Sequence, residues 1–427
     1  MDHFEYRGGK LHCEDVDVAD VAAEYGTPVY IYSTATLLHH CRAIADAFAP
    51  LDPLVCFSVK SLSNVHILRL LVEAGAGLDV VSGGELARAK VAGVNMSKVV
   101  FAGVGKTDTE ITAAIEAGIG MFNVESAAEF ENLSLLSARA GTKVRAALRI
   151  NPDVETNTHR YLSTGKKATK FGVDIDRAED FFAAHGRDEH VALDGLHFHI
   201  GSPVFSCEPY TEAISRSLTL IDSLRSDGFE ISILDIGGGF AVDYEQDESP
   251  LAADYARRIV PLLEDKGLEV LLEPGRQIAC NAGLILCEVL YTKRAGGKDF
   301  VIVDAAMTEL IRPALYGAEH FVHPASLAAG YEPPPRRMDY APPGAVKVDV
   351  VGGVCESADF LCKDRLLPPL ARGDLLAVFS AGAYAQTMSS QYNSRCRAPE
   401  VLISGGQMSL IRRRETHDDL LRPERDL

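Results

Sequence analysis

The chain has 427 residues, 47% hydrophobic and 24% charged, with a formal net charge of -18. Such a length exceeds the usual limit of one hydrophobic core, so two domains are expected. The acidic balance argues against nucleic acid as a partner, which needs clustered Lys and Arg. Nine cysteines at irregular spacings, none in a CxxC pair, argue against a zinc site or a disulfide framework and fit reduced thiols in the cytoplasm. Met1 to Tyr6 lacks the basic region and apolar core of a signal peptide, and no segment approaches the roughly 18 apolar residues of a membrane span.

In chain order, the first strand-like run is Pro28–Tyr32. A regular alternation then begins near residue 50. Strands are read at Leu54–Val59, Leu78–Val81, Val99–Val104, Met121–Val124, Val144–Ile150, Leu193–Ile200, Ile231–Ile236 and Glu269–Leu272. Amphipathic helical patterns separate them at Val65–Glu73, Gly84–Ala92, Asp108–Glu116, Ala127–Ala138 and Tyr210–Ser226, and Gly75, Gly93, Gly118, Gly141 and Gly228 stand where helices end. Eight strands in βα alternation over about 230 residues suit a closed parallel barrel. An open doubly wound sheet would place its glycine fingerprint after the first strand, where this chain has Lys60.

After Cys280 the pattern changes. Leu284–Tyr291, Asp299–Val303, Val346–Val351, Leu375–Phe379 and Glu400–Ile403 are β-rich and are interrupted by the proline-rich, basic run Glu332 to Arg337 and by Pro342-Pro343. The expectation is a barrel over 36–282 and a mainly β domain built from 1–35 and 283–427, with Pro28–Tyr32 joining the latter. The tail from Arg412 is charged and expected to fray.

Chemistry-bearing residues gather at the ends of the barrel strands. Lys60 closes the first, and a desolvated lysine with a lowered pKa is a standard route to covalent chemistry on carbonyls. The bland alternative is a lysine reaching solvent. Gly237-Gly238-Gly239 follows the seventh strand, a usual phosphate position in such barrels, and Arg276 adds a cation one strand along. Glu273 ends the eighth strand. It could pair with a cation, bind metal or hold a protonated ring nitrogen, and no second carboxylate stands in ligand spacing with it, which disfavours metal. His199 offers a flat ring, although a lone histidine, His197 included, is more often a satisfied core residue. One ligand uses all of these groups: pyridoxal 5'-phosphate, with an aldehyde for Lys60, a phosphate for the glycines and a pyridine nitrogen for Glu273.

The motifs are Ser58-Val59-Lys60, Leu78 to Glu85, Thr169-Lys170-Phe171-Gly172, His197 to Ser202, Asp235 to Gly239 and Glu273 to Arg276. Arg312 to Tyr316, Cys355-Glu356-Ser357 and Gly382-Ala383-Tyr384 follow. With these the chain, from about Tyr25 to Leu402, resembles the pyridoxal-phosphate-dependent group IV (fold type III) decarboxylases, and among them those acting on diaminopimelate. Cys56-Phe57 before the lysine, Ser61-Leu62 after it and Pro203 depart from the usual pattern without touching a functional group.

The resemblance implies an alanine racemase-like (β/α)8 TIM barrel plus a C-terminal mainly β domain. It implies that Lys60 binds the cofactor covalently, that His199 stacks on the ring, that Asp79 lies behind it and that Glu273 pairs with the pyridine nitrogen. Ser202, Gly238, Gly239 and Arg276 would take the phosphate, with Tyr384 nearby; Arg276 and Tyr384 would also face substrate. Arg312 and Tyr316 would grip the distal carboxylate. Cys355 would reprotonate the substrate carbon and Glu356 would contact the distal amine, both supplied by the partner in an obligate homodimer with shared sites. The implied reaction is conversion of meso-2,6-diaminopimelate to L-lysine and CO2, the last step of lysine biosynthesis.

The residues agree with that reaction. A carboxylate at Glu273 keeps the pyridine protonated, which suits decarboxylation; an arginine there would suit a racemase. Arg312 suits a second carboxylate, which ornithine and arginine lack, while carboxynorspermidine, which keeps one carboxylate, is not excluded by charge alone. A non-catalytic relative is the alternative from another class, and Lys60, Glu273 and Cys355 argue against it.

Overall fold

Strands one to eight of the barrel are Leu54–Ser58, Gly77–Val80, Val99–Phe101, Met121–Val124, Val144–Asn151, Val191–His197, Ile233–Asp235 and Glu269–Leu272. Each pairs in parallel with the next, and the eighth pairs with the first, so no edge is left. The computed structural model describes residues 3–155, 170–245 and 249–425. Met1, Asp2 and Thr169 of the segments read above, and the last two residues of the tail, lie outside them.

These strands read as continuous apolar runs because helices cover the outer face while side chains fill the inside. Cys56, Val100, Met121, Ala147, Ile233 and Leu271, from six different strands, form one buried cluster. Gly195 on the sixth strand belongs beside them: a Cβ there would lie 3.0 Å from Ala147 Cβ and 3.1 Å from Ile233 Cβ. Polar residues after the strands start the helices. Ser82 and Ser126 each accept from the amide of the glutamate three residues on, and Thr107 with Glu110 forms a reciprocal capping box.

The chain divides into two compact units. One comprises residues 40–155, 170–242 and 249–277 and holds the barrel; the other comprises 3–39, 243–245 and 278–425. The short stretch Asp243 to Glu245, which the sequence placed inside the barrel segment, belongs to the second unit.

In the second unit a mixed sheet runs in the order Phe360–Leu367, Val346–Val351, Lys298–Val303, Gly283–Ala295, Val29–Ser33, Glu400–Ser404 and Gln407–Arg412, with Leu375–Val378 also pairing with Gly283–Ala295. The N-terminal strand Val29–Ser33 sits centrally, antiparallel to Gly283–Ala295 and parallel to Glu400–Ser404. Val29, Ile31, Leu284, Leu286, Val401 and Ile403 share one core there. A separate three-stranded sheet, Phe4–Arg7, Lys10–Cys13 and Val16–Asp17, was not legible in the sequence.

One expectation is corrected. The charged tail does not fray throughout: His417–Arg425 is a helix. Thr416 and Asp419 bond each other's backbone N–H groups, and Arg413 grips Asp419, so local caps outweigh the charge density. No helix among the described residues is long and apolar enough to cross a membrane.

Candidate active site

The first barrel strand ends at Ser58, and Lys60 stands just beyond it in a short 3-10 turn, Val59–Ser61, rather than on the strand itself. Its Nζ lies 2.7 Å from Asp79 Oδ2, which also accepts from Ser58 Oγ at 2.7 Å. Asp79 comes from the second strand and is fully buried, and its Oδ1 has no hydrogen-bond partner among the described residues. Burial raises the Asp79 pKa, repulsion from Glu273 adds to this, and Lys60 and Ser58 offset part of it.

Glu273, just past the eighth strand, is buried among acidic neighbours. Its Oε1 accepts from Asn123 Nδ2 at 3.2 Å, and the same amide donates to Asp235 Oδ2 at 3.3 Å. One oxygen each of Glu273 and Asp235 and a ring nitrogen of His197 lie within 4.8 Å of one another. Sequence spacing offered Glu273 no second carboxylate; barrel closure supplies one. Burial alone would raise the Glu273 pKa, but contact with His197, followed by the charge of Lys60, outweighs it and holds the group well below the usual carboxylate range. Burial and then Glu273 push Asp235 far up, against the Gly237 N–H that bonds it at 2.9 Å. The pair therefore divides one proton, Asp235 keeping it and Glu273 staying ionised. His197 is a core histidine, but among the described residues not a satisfied one: Nε2 stands 3.4 Å from Glu273 Oε2, and neither ring nitrogen makes a well-formed hydrogen bond there.

His199 follows the sixth strand. Its Nδ1 accepts from the Gly238 N–H at 3.2 Å. Burial, then the charges of Lys60 and Arg149, push its pKa far below the usual histidine value, so the ring is neutral. Arg149 is itself buried, bonded to Glu125 at 2.7 Å and stacked 4.6 Å from the Phe171 ring, while the Gly172 N–H donates to Glu125. The described part of the Thr169–Gly172 motif thus packs on the Arg149–Glu125 pair.

The glycine triplet is dictated by close packing. A Cβ on Gly238 would lie 2.0 Å from the Glu273 carbonyl oxygen, and one on Gly239 would lie 2.1 Å from that of Gly201. Gly237 and Gly239 also hold left-handed φ of 67° and 102°. Arg276, buried at the start of a short helix, donates from Nε to Ser202 Oγ at 3.1 Å. Pyridoxal 5'-phosphate fits this donor set. Lys60 offers the amine, Ser202 and Arg276 converge as anion donors beside a side-chain-free backbone, His199 is flat and neutral, and Glu273 is ionised.

The remaining candidates belong to the other unit. Arg312 and Tyr316 begin and end the helix Arg312–Tyr316, and Arg312 is 4% exposed. Among the described residues no carboxylate lies within ion-pair distance of it; its Nη1 meets His320 Nε2 at 2.9 Å. Cys355 and Glu356 are exposed, the Cys355 N–H bonded to Asn393 Oδ1 at 2.7 Å. Tyr384 holds a left-handed φ of 56° in a turn after the strand Leu375–Val378.

Sequence reasoning missed Ser58, Asn123, Arg149 and Asp235 as members of the polar network. Asp235 had a local signal, standing immediately before the glycine triplet. Asn123 had none, because its contact with Asp235 spans 112 positions and exists only once the barrel closes.

The family model "Pyridoxal-dependent decarboxylase, pyridoxal binding domain" matches residues 34–280. The chain is 47% identical over 420 residues to the diaminopimelate decarboxylase of Pseudomonas aeruginosa, covering 98% of each chain. It is 43% identical to that of Aquifex aeolicus, over 100% of this chain and 98% of the other. Its fold matches the crystal structure of diaminopimelate decarboxylase from Helicobacter pylori complexed with L-lysine at a TM-score of 0.89 and 36% identity, covering 96% and 99% of the two chains.

Proposed function

The chain belongs to the pyridoxal-dependent decarboxylases, and from that premise we propose that it releases CO2 from meso-2,6-diaminopimelate to give L-lysine, the last step of lysine biosynthesis. The observation that carries the substrate is Arg312. A buried guanidinium with no acidic partner among the described residues is costly unless an anion arrives to compensate it, and a second carboxylate on the substrate would do so.

When bound, pyridoxal 5'-phosphate supplies the electron sink for the pair left behind as CO2 departs. The protein's part is to hold, orient and protonate. In this reading Lys60 would hold the cofactor through its aldehyde, and Asp79 would keep that amine in place through the 2.7 Å contact. Ser202, Gly238, Gly239 and Arg276 would anchor the phosphate, with Tyr384 nearby. The neutral ring of His199 would lie against the cofactor without adding a charge that opposes a protonated pyridine. Glu273, ionised because Asp235 keeps the shared proton, would keep a proton on the pyridine nitrogen. Arg312 and Tyr316 bind the distal carboxylate, Arg276 and Tyr384 also face substrate, and Glu356 takes the distal amine. The Cys355 thiol gives its Sγ proton to the carbon that has lost CO2.

The test is CO2 release from meso-diaminopimelate, ornithine, arginine and carboxynorspermidine offered separately to the pyridoxal-phosphate-loaded protein. Release from diaminopimelate alone, with L-lysine as product, is expected. Arg312→Ala should then raise KM for diaminopimelate about 10- to 100-fold, since it removes a charge-assisted pair worth roughly 1.5–3 kcal/mol. An unchanged KM would place the distal carboxylate elsewhere.

We place Cys355 and Glu356 in the site of the partner subunit of a homodimer, and their exposure supports this. Mixing Lys60→Ala with Cys355→Ala protein under subunit exchange should restore about a quarter of wild-type activity, because half of the dimers then carry one intact site. No recovery after demonstrated exchange would show that each subunit works alone. Nine cysteines, all free, support the cytoplasm as the compartment.

A further inference from the structure

Arg312 is held by a neutral frame within its own unit. Its Nη1 lies 2.9 Å from Nε2 of His320, and Nδ1 of the same ring lies 2.9 Å from the carbonyl oxygen of Phe379. A guanidinium has only donors to offer and a carbonyl only accepts. One arrangement satisfies both contacts: Nδ1 carries the hydrogen and donates to Phe379, and the Nε2 lone pair accepts from Arg312. Tyr244 completes the frame. The Arg312 guanidinium sits 4.9 Å over its ring, and the His320 ring meets it edge-on at 5.5 Å and 86°.

Local structure produces this contact. The helix Arg312–Tyr316 stops at Gly317, whose left-handed φ of 62° turns the chain back, so that His320 reaches Arg312 eight positions earlier. His320 is fully buried there. The choice of residue has an electrostatic consequence. A carboxylate in its place would orient Arg312 equally well but neutralise it, leaving less charge for an incoming anion. A neutral imidazole orients the fork and leaves its charge uncompensated.

We propose that His320 is a positioning residue for substrate recognition, locking the guanidinium of Arg312 in the orientation that receives the substrate's distal carboxylate while leaving its positive charge free. This rests on the reading of Arg312 given above. It assigns His320 to the binding of one end of the substrate and predicts no part in the bond-breaking step.

Two substitutions separate the two ring nitrogens. In His320→Gln the amide oxygen reaches the position of Nε2, so the contact to Arg312 survives and that to Phe379 is lost. In His320→Asn the short amide reaches the position of Nδ1, so the contact to Phe379 survives and that to Arg312 is lost. Both proteins are loaded with pyridoxal phosphate, and bound cofactor is checked by absorbance before kinetics. His320→Asn should raise KM for meso-diaminopimelate about tenfold with kcat within about twofold of wild type, and His320→Gln should stay within about threefold in KM. In the Arg312→Ala background His320→Asn should add less than about twofold, because the two residues act through one contact. Three results would overturn the proposal: wild-type KM in His320→Asn, equal damage in both variants, or a full further loss on top of Arg312→Ala. If Arg312→Ala itself leaves KM unchanged, the reading of Arg312 fails first and the role of His320 falls with it. An unchanged His320→Asn alongside an impaired Arg312→Ala would sink only the role of His320.

Discussion

Lys60→Ala should lose the visible absorption of covalently held cofactor and at least about 1,000-fold in kcat, the two together. The size follows from the environment of the amine. Lys60 stands 2.7 Å from a fully buried carboxylate, Asp79, and its alkyl chain places the amine where Asp79, His199 and Glu273 all act on it electrostatically. Removing it also takes away the cation that offsets burial of Asp79, so lost folding has to be separated from lost chemistry. Lys60→Arg makes the separation. It keeps a cation beside Asp79 but cannot form the covalent bond to an aldehyde. Arginine should therefore preserve thermal stability and still abolish activity. Substantial activity in either variant, measured as CO2 release from diaminopimelate, would remove Lys60 from the chemistry.

The second large effect is expected at Glu273. Glu273→Gln preserves shape and can keep the contact with Asn123, but it removes the negative charge that the buried network is arranged to maintain. Asp235 is pushed up and keeps the shared proton, while His197 and Lys60 hold Glu273 ionised. Glutamine cannot keep a proton on a pyridine nitrogen, so kcat should fall by about 100- to 1,000-fold, the range seen when one preorganised electrostatic partner is removed. Cofactor loading should survive, because Lys60 and the Ser202–Arg276 pair are untouched. The comparison to make is kcat per bound cofactor. A variant that loads normally and turns over at the wild-type rate would show that the charge at Glu273 is unnecessary.

Much of the barrel was legible because its signals are local. Ser82, Thr107 and Ser126 announce helix starts, and Gly93, Gly118 and Gly141 announce helix ends, all within a few residues of the backbone groups they serve. The short apolar runs between them read as buried parallel strands for the same reason. The strand ends were read less well. Lys60 and His199 each lie beyond the last paired residue, because a strand ends where its ladder partner ends, and that is a property of two segments. The N-terminal three-stranded sheet was missed since its strands have two to four residues, too few for an alternation to show.

Lys60, His199, the glycine triplet, Glu273 and Arg276 could be named as candidates from their chemistry at strand ends, and Asp79, Ser202, Arg312 and Cys355 from the family motifs that the chain resembles. Which of them are ionised could not. The charge on Glu273 depends on Asp235, Asn123 and His197, which come from three other strands, and the neutrality of His199 depends on burial and on Arg149. The frame around Arg312 depends on a glycine turn and on Tyr244, distant in sequence. Sequence alone thus determined the chemical inventory and the order of elements, since propensity, capping and motif all act over a few residues. Tertiary structure decided protonation and orientation, since both are set by the summed field and packing of groups that only the folded chain brings within a few ångströms.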